Sequence, residues 1–294
     1  MKGSLSAALT VLVMVAVAVV LSWWAGAQSL VVLGLPALSC CAILALATQW
    51  LAFVPAALAR TERFYDLVGG LTYLAVTAFC LVIAARAELI STRHVVVALM
   101  VSVWALRLSL FLWRRVHRAG KDARFDNIKV DKARFLVAWS LQGLWVFLTA
   151  LPAFVMLTDA RGAAPVDAWA MIGWSLWLLG WTLEVIADHQ KSVFKAKPEH
   201  EARWIETGLW AYSQHPNYFG EILLWTGLCI SGFGVYAGTQ WLVLVSPLFI
   251  VLLLTRISGI NLLDARAAKR WGEDPSYQAY RGRTSVLIPW FQRD

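Results

Sequence analysis

Between Leu5 and Trp24 the chain runs for twenty residues without one charged side chain. A helix of about that length crosses the hydrocarbon core of a bilayer. Similar apolar runs recur at Leu30–Leu58, Phe64–Ala84, Val95–Trp113, Phe135–Leu157, Trp169–Ile186, Pro216–Phe233 and Leu242–Thr255. Lipid offers the backbone no hydrogen-bond partner, so only helices and closed barrels span it. These runs are continuous rather than alternating, which argues against a barrel. The predicted fold is an all-α integral membrane protein, a polytopic bundle of seven to eight transmembrane helices forming a single membrane domain over residues 1–294. Charged residues make up only 15% of the chain, against roughly 25% in soluble domains. Pro36 and Pro55 predict a tilt or kink in the long second run.

The loops divide by charge. Arg60 and Arg63, the Arg114–Lys132 connection, the Lys191–Arg203 connection and the tail from Arg266 to Arg283 are basic. The connections Ala25–Ser29, Asp159–Asp167 and Gly234–Gln240 are short and nearly free of lysine and arginine. Basic loops face the cytoplasm, so both termini are expected there. The net charge of +8 is explained by this topology, and no nucleic-acid partner is expected. The first apolar run lacks a polar region before a clear cleavage site, so it reads as a retained helix. Cys40, Cys41, Cys80 and Cys229 lie in apolar runs with no metal-binding spacing, and no metal is expected. Trp23, Trp24, Trp50, Trp113, Trp169 and Trp290 suit membrane interfaces, whereas Trp225 lies deeper, among candidates to line a ligand pocket.

Polar chemistry collects in the later part of the chain. Glu184, Asp188, Lys191 and Lys195 recur at helical spacing and share one face. They suit a charged ligand, with amide or ribose hydroxyls on the carboxylates and phosphates on the lysines. An ordinary ion-paired interfacial face is the alternative. The run Tyr212-Ser-Gln-His-Pro-Asn-Tyr-Phe-Gly-Glu221 sets His215, Asn217, Tyr218 and Glu221 at the mouth of an apolar helix. Pro216 suits the first helical position, and a helix N-terminus favours phosphate. Arg256, Asp264 and Tyr280 follow the last apolar run. Earlier, Tyr65 and Asp66 begin the third run, where a carboxyl or phenol could polarise a carbonyl or simply satisfy the helix end. Arg107 and Gln142 are embedded polar groups, and Arg107 needs a carboxylate or a ligand phosphate. No GxGxxG or P-loop pattern is present, so any nucleotide site is of another kind.

These motifs resemble the steroid 5-alpha-reductase and sterol-reductase group, in particular its bacterial branch, long catalogued as a domain of unknown function. The resemblance runs from about Thr61 to Phe291. It is carried by Phe64-Tyr-Asp66, Arg107-Leu, Asp122-Ala-Arg-Phe-Asp126, Leu141-Gln-Gly143, Asp188-His-Gln-Lys191, Leu287-Ile-Pro-Trp290 and above all His215-Pro-Asn-Tyr-Phe-Gly-Glu221. It implies an inner-membrane enzyme that uses NADPH, bound on the cytoplasmic side, to reduce a carbon–carbon double bond conjugated to a ketone in a lipid or steroid. Residues 1–116 would supply substrate-side helices and residues 117–294 the cofactor half. The matching cofactor contacts are Asp188, Lys195, Asn217, Tyr218, Glu221, Arg256, Asp264 and Tyr280, to which the motif reading adds Arg107, Lys191, His215 and Trp225. Tyr65 and Asp66 stand in for the catalytic pair. Gln214 replaces the arginine of many relatives and removes one possible phosphate ligand. No obligatory protein partner is evident beyond the substrate and membrane lipids. Two other readings stay open: an isoprenylcysteine-type methyltransferase using S-adenosylmethionine, and a non-enzymatic lipid-binding or transport protein.

Overall fold

The computed structural model describes residues 2–292. Eleven α-helices are described: α1 Lys2–Ala25, α2 Ala37–Ala59, α3 Tyr65–Arg86, α4 Thr92–Ala119, α5 Lys132–Thr149, α6 Leu151–Thr158, α7 Ala168–Lys195, α8 Pro216–Ile230, α9 Val245–Leu252, α10 Ile260–Trp271 and α11 Pro275–Arg283. Two short strands, β1 Val31–Val32 and β2 Leu35–Pro36, form an antiparallel hairpin. The protein is an all-α polytopic membrane protein.

Among the described residues six helical segments are long and apolar enough to cross a bilayer: Ser4–Ala25, Ala37–Ala59, Tyr65–Arg86, Thr92–Ala119, Ala168–Lys195 and Gly238–Trp271. A seventh is made by α5 and α6 together, bent by 57°. The bend has a local cause: Pro152 has no N–H to continue the ladder. An eighth crossing at Pro216–Phe233 is not supported, because α8 holds only 15 residues. That gives about 22 Å of helix against a core of about 30 Å. The second run also starts later than its hydropathy suggests, since its first residues turn back as the hairpin and Pro36 caps α2.

The residues form two compact units. Unit 1 holds the chain to Ala170 and Gly232–Ser246; unit 2 holds Met171–Ser231 and the chain from Pro247.

In unit 1, α3 lies along α4, α2 packs on α3 and α5, and α1 covers α5. Buried polar pairs tie these helices: Gln49 donates to Thr72 Oγ1 at 2.7 Å, and Trp50 donates to Ser140 Oγ at 2.9 Å. At one end, buried Glu62 accepts from Lys129 Nζ at 2.7 Å and from the Asp122 N–H at 3.0 Å. Burial opposes the charge on Glu62, but the hydrogen bonds from Lys129 and Asp122 outweigh it and hold the carboxyl below its usual range. At the other end, buried Arg93 pairs with Asp167 at 3.1 Å, and Asp159 accepts from Arg161 Nε at 3.1 Å and Gln240 Nε2 at 2.7 Å.

In unit 2, α7 and α8 meet backbone to backbone. A Cβ on Gly180 would lie 2.6 Å from the Gly220 carbonyl oxygen, and one on Gly220 would lie 2.6 Å from that of Gly180. Two turns away Gly227 repeats the contact, 2.7 Å from the Gly173 oxygen. Small residues at such a seam let helices approach closely inside a membrane. Asp274 caps α11 by accepting from the Ser276 N–H at 2.8 Å, and Pro275 takes the first helical position. The tail then returns to the start of α8, where the Gln214 N–H donates to Ser285 O at 2.8 Å and the Ser213 hydroxyl to Leu287 O at 2.7 Å.

Candidate functional site

Two of the polar groups singled out in the sequence converge in unit 2 across the α7–α8 seam. Pro216 is the first residue of α8, as its chemistry predicts. This start places Asn217 one turn ahead of Glu221. Asn217 Nδ2 donates to Asp188 Oδ1 at 3.2 Å. Glu221 and Glu184 are buried at 7% and 2% exposure. Buried carboxylates are found paired or hydrogen-bonded, so these two mark a polar interior beside the seam. Lys191 sets its ammonium 4.3 Å from the Trp210 ring centre, a cation–π contact.

His215 caps this arrangement. Its ring stacks on Tyr218 with centres 5.7 Å apart, and its Nε2 lies 3.4 Å from Asp264 Oδ1. Burial drives the imidazole well below its usual range, against the opposing pull of Asp264 and with the help of Lys191. Asp264 also accepts from Arg281 Nη2 at 2.8 Å, so α10 and α11 are joined at this point. Tyr280 is buried and donates to Trp210 O at 2.9 Å; burial raises its phenol above the ordinary range. Trp225 is buried at 1% exposure. Lys195 and Arg256 are exposed. Arg256 sits in a π-helical turn, Leu253–Ile257, a distortion often found at functional sites.

Gln214 has a structural task here. Its Nε2 donates to Arg281 O at 3.1 Å and Thr284 O at 2.8 Å, which fastens α11 beside the α8 start. Arg281 is the residue that sequence reasoning passed over, counting it only as tail charge. The Asp274-Pro275 cap was the available signal that a helix would carry it there.

Tyr65, Asp66 and Arg107 belong to unit 1. The Tyr65 hydroxyl donates to Ala138 O at 2.8 Å, and its ring lies 4.7 Å from Phe125 and 5.0 Å from Trp139. Asp66 pairs with Arg124 at 3.4 Å and lines a narrow cleft between α3, α4 and α5. Arg107 lies on α4, half-buried. No group of three or more potential metal ligands occurs among the described residues.

Residues 52–284 match a family described as a protein of unknown function, DUF1295. The chain belongs to the DUF1295 family. Of the expected resemblance, the part that this match bears out is the membership of a family of unknown function. The DUF1295 match takes in every site residue named above. The chain is also 20% identical over 226 residues to an uncharacterized protein of Schizosaccharomyces pombe, covering 68% of this chain and 64% of the relative. It thus spans less than two thirds of that relative's length. No solved structure matches.

Proposed function

We propose that this DUF1295 protein is a membrane-embedded, NADPH-dependent reductase of a carbon–carbon double bond conjugated to a ketone in a lipid, with 3-oxo-Δ4-steroids as the model substrates. The observation that carries the reading is the Asp188–Asn217 bond between α7 and α8, flanked by buried Glu221 and by Lys191. Carboxylates are kept in a buried setting where they are paired or meet a ligand, because a stranded buried charge is costly.

The donor set fits a dinucleotide. Asn217, Asp188 and Glu221 offer the amide and carboxylate partners that a carboxamide and ribose hydroxyls need. Lys191, Lys195 and Arg256 offer positive charge for phosphates. Tyr218, half-buried, offers an aromatic face, whereas Trp225 is fully buried and would have to repack to meet a ligand. These residues would hold NADPH, whose chemistry when bound would be hydride donation to the β-carbon of the enone with formation of NADP⁺. A proton then reaches the α-carbon, completing the addition of two hydrogens. Within unit 1, Tyr65 is the proposed donor to a substrate carbonyl oxygen and Asp66 the carboxylate beside it, a donor of that kind being worth roughly 2.7–4 kcal/mol. Since the Tyr65 hydroxyl is held by Ala138, that role requires it to exchange partners.

The test uses the full chain in lipid nanodiscs, given NADPH deuterated at C4 and progesterone or testosterone. Transfer of one deuterium and one solvent proton to the steroid is the expected result. Binding of S-adenosylmethionine in place of NADPH, with methyl transfer to a lipid acceptor, would replace this reading by the methyltransferase one.

A further inference from the structure

The cleft in unit 1 has one property that the reductase reading leaves unused. It is lined by Asp66, Gly69, Gly70, Ser109, Gln142 and Trp145, among others, and its free space of about 20 Å³ admits little more than a single water-sized group. Most of its polar lining is already engaged. Ser109 donates to Ala105 O at 2.6 Å, the Tyr73 hydroxyl meets Thr149, and Asp66 meets Arg124. Two groups are not. Gln142 is 2% exposed and its Oε1 has no hydrogen-bond partner, and the buried Trp145 Nε1 has none either.

Both groups sit on α5 three residues apart, hence on one helical face. A buried polar group without a partner is destabilising, so each is poised to gain one. The glycines of α3 let Gln142 and Ser109 pack directly against its backbone. A Cβ at Gly69 would come within 2.5 Å of the Gln142 amide nitrogen, and one at Gly70 would run into Ser109. The result is an unpartnered acceptor and an unpartnered donor, one helical turn apart on α5, on residues that line the same mostly apolar cleft.

We infer that Gln142 and Trp145 bind the hydroxyl group of a membrane-soluble lipid alcohol. A hydroxyl is the oxygen function that does both jobs at once: its O–H donates to Gln142 Oε1 while its lone pair accepts from Trp145 Nε1–H. A ketone oxygen satisfies only the indole. The inference rests on the reductase reading in that it names the substrate class, a lipid bearing a hydroxyl.

The experiment compares matched probes on the full chain in nanodiscs: cholestanol, cholestanone and cholestane, and hexadecanol against hexadecane. Binding is followed by tryptophan fluorescence. Thermal stability is measured without ligand, and NADPH turnover is assayed separately. The wild type is expected to bind at least one alcohol about tenfold more tightly than its ketone or hydrocarbon. Gln142→Leu and Trp145→Phe should each abolish that preference. Gln142→Leu should also leave the melting temperature of the ligand-free protein unchanged or raise it by about 2–4 °C, since no hydrogen bond is lost. No alcohol preference in either probe set, a preference for the ketone, or a preference that survives Gln142→Leu overturns the inference. A lowered melting temperature in Gln142→Leu with unchanged binding does so too, and assigns the pair to a structural water. Absence of NADPH turnover with the alcohol preference intact sinks the reductase reading alone.

Discussion

Asn217 in the first turn of α8 donates to Asp188 on α7 at 3.2 Å, across two helices whose backbones touch at Gly180 and Gly220. The side chains are thereby set before any ligand arrives, and preorganisation lowers the entropy lost on binding.

On the proposed reading, removal of these groups should weaken NADPH binding more than the fold. Asn217→Ala and Glu221→Gln are each expected to lower NADPH affinity by about tenfold or more, as the loss of a hydrogen bond to a charged or buried group does. Titration of NADPH fluorescence measures this, with a thermal melt as the control for folding. Unchanged affinity in both variants would remove the site from unit 2.

His215 makes stability depend on pH. Its folded-state pKa, about 4, lies below the unfolded value near 6.5. Between those values the unfolded chain binds the extra proton, so stability is full above about pH 6.5 and falls as the pH drops toward 4. Melting temperatures from pH 7 to pH 4 should decline in the wild type and decline less in His215→Asn. Parallel profiles would mean that other groups set the acid limit.

Lys129→Met tests the clamp in unit 1. It leaves buried Glu62 with the Asp122 N–H alone, which should cost about 2–3 kcal/mol and lower the melting temperature. The double change Glu62→Met with Lys129→Met should recover part of the loss, because it removes the stranded charge.

Gly220→Val places a branched side chain where the Gly180 carbonyl and Glu184 backbone stand, 2.6 and 2.7 Å from the first added carbon. Overpacking of this kind costs about 1–3 kcal/mol. Chemical denaturation in detergent should report the loss, together with weaker NADPH binding as Asn217 moves away from Asp188.

Much of this architecture was legible in the chain. Apolar length marked the helices, and Pro216 marked the start of α8 to the residue. Helical spacing put Asp188 and Lys191 on one face, and the structure joins Asp188 to Asn217. What escaped was decided by partners distant in sequence. Nothing near Asp264 indicates that it pairs with Arg281 of α11 and lies 3.4 Å from His215 at the α8 start. The hairpin at Val31–Pro36 hides in an apolar run because two-residue strands carry no periodicity. The 57° bend depends on Pro152 in company with the packing of α6 on α3 and α4. Gln142 stood out as a polar residue at depth, but only the cleft around it gives that residue a role.

The glycine contacts of α7 and α8 recur over two helical turns, at Gly180 with Gly220 and at Gly173 with Gly227. Rods locked at two points cannot swivel about either one. A turn of one helix about the Gly180–Gly220 contact is opposed at Gly173 and Gly227, which favours keeping the gap between Asp188 and Asn217 fixed.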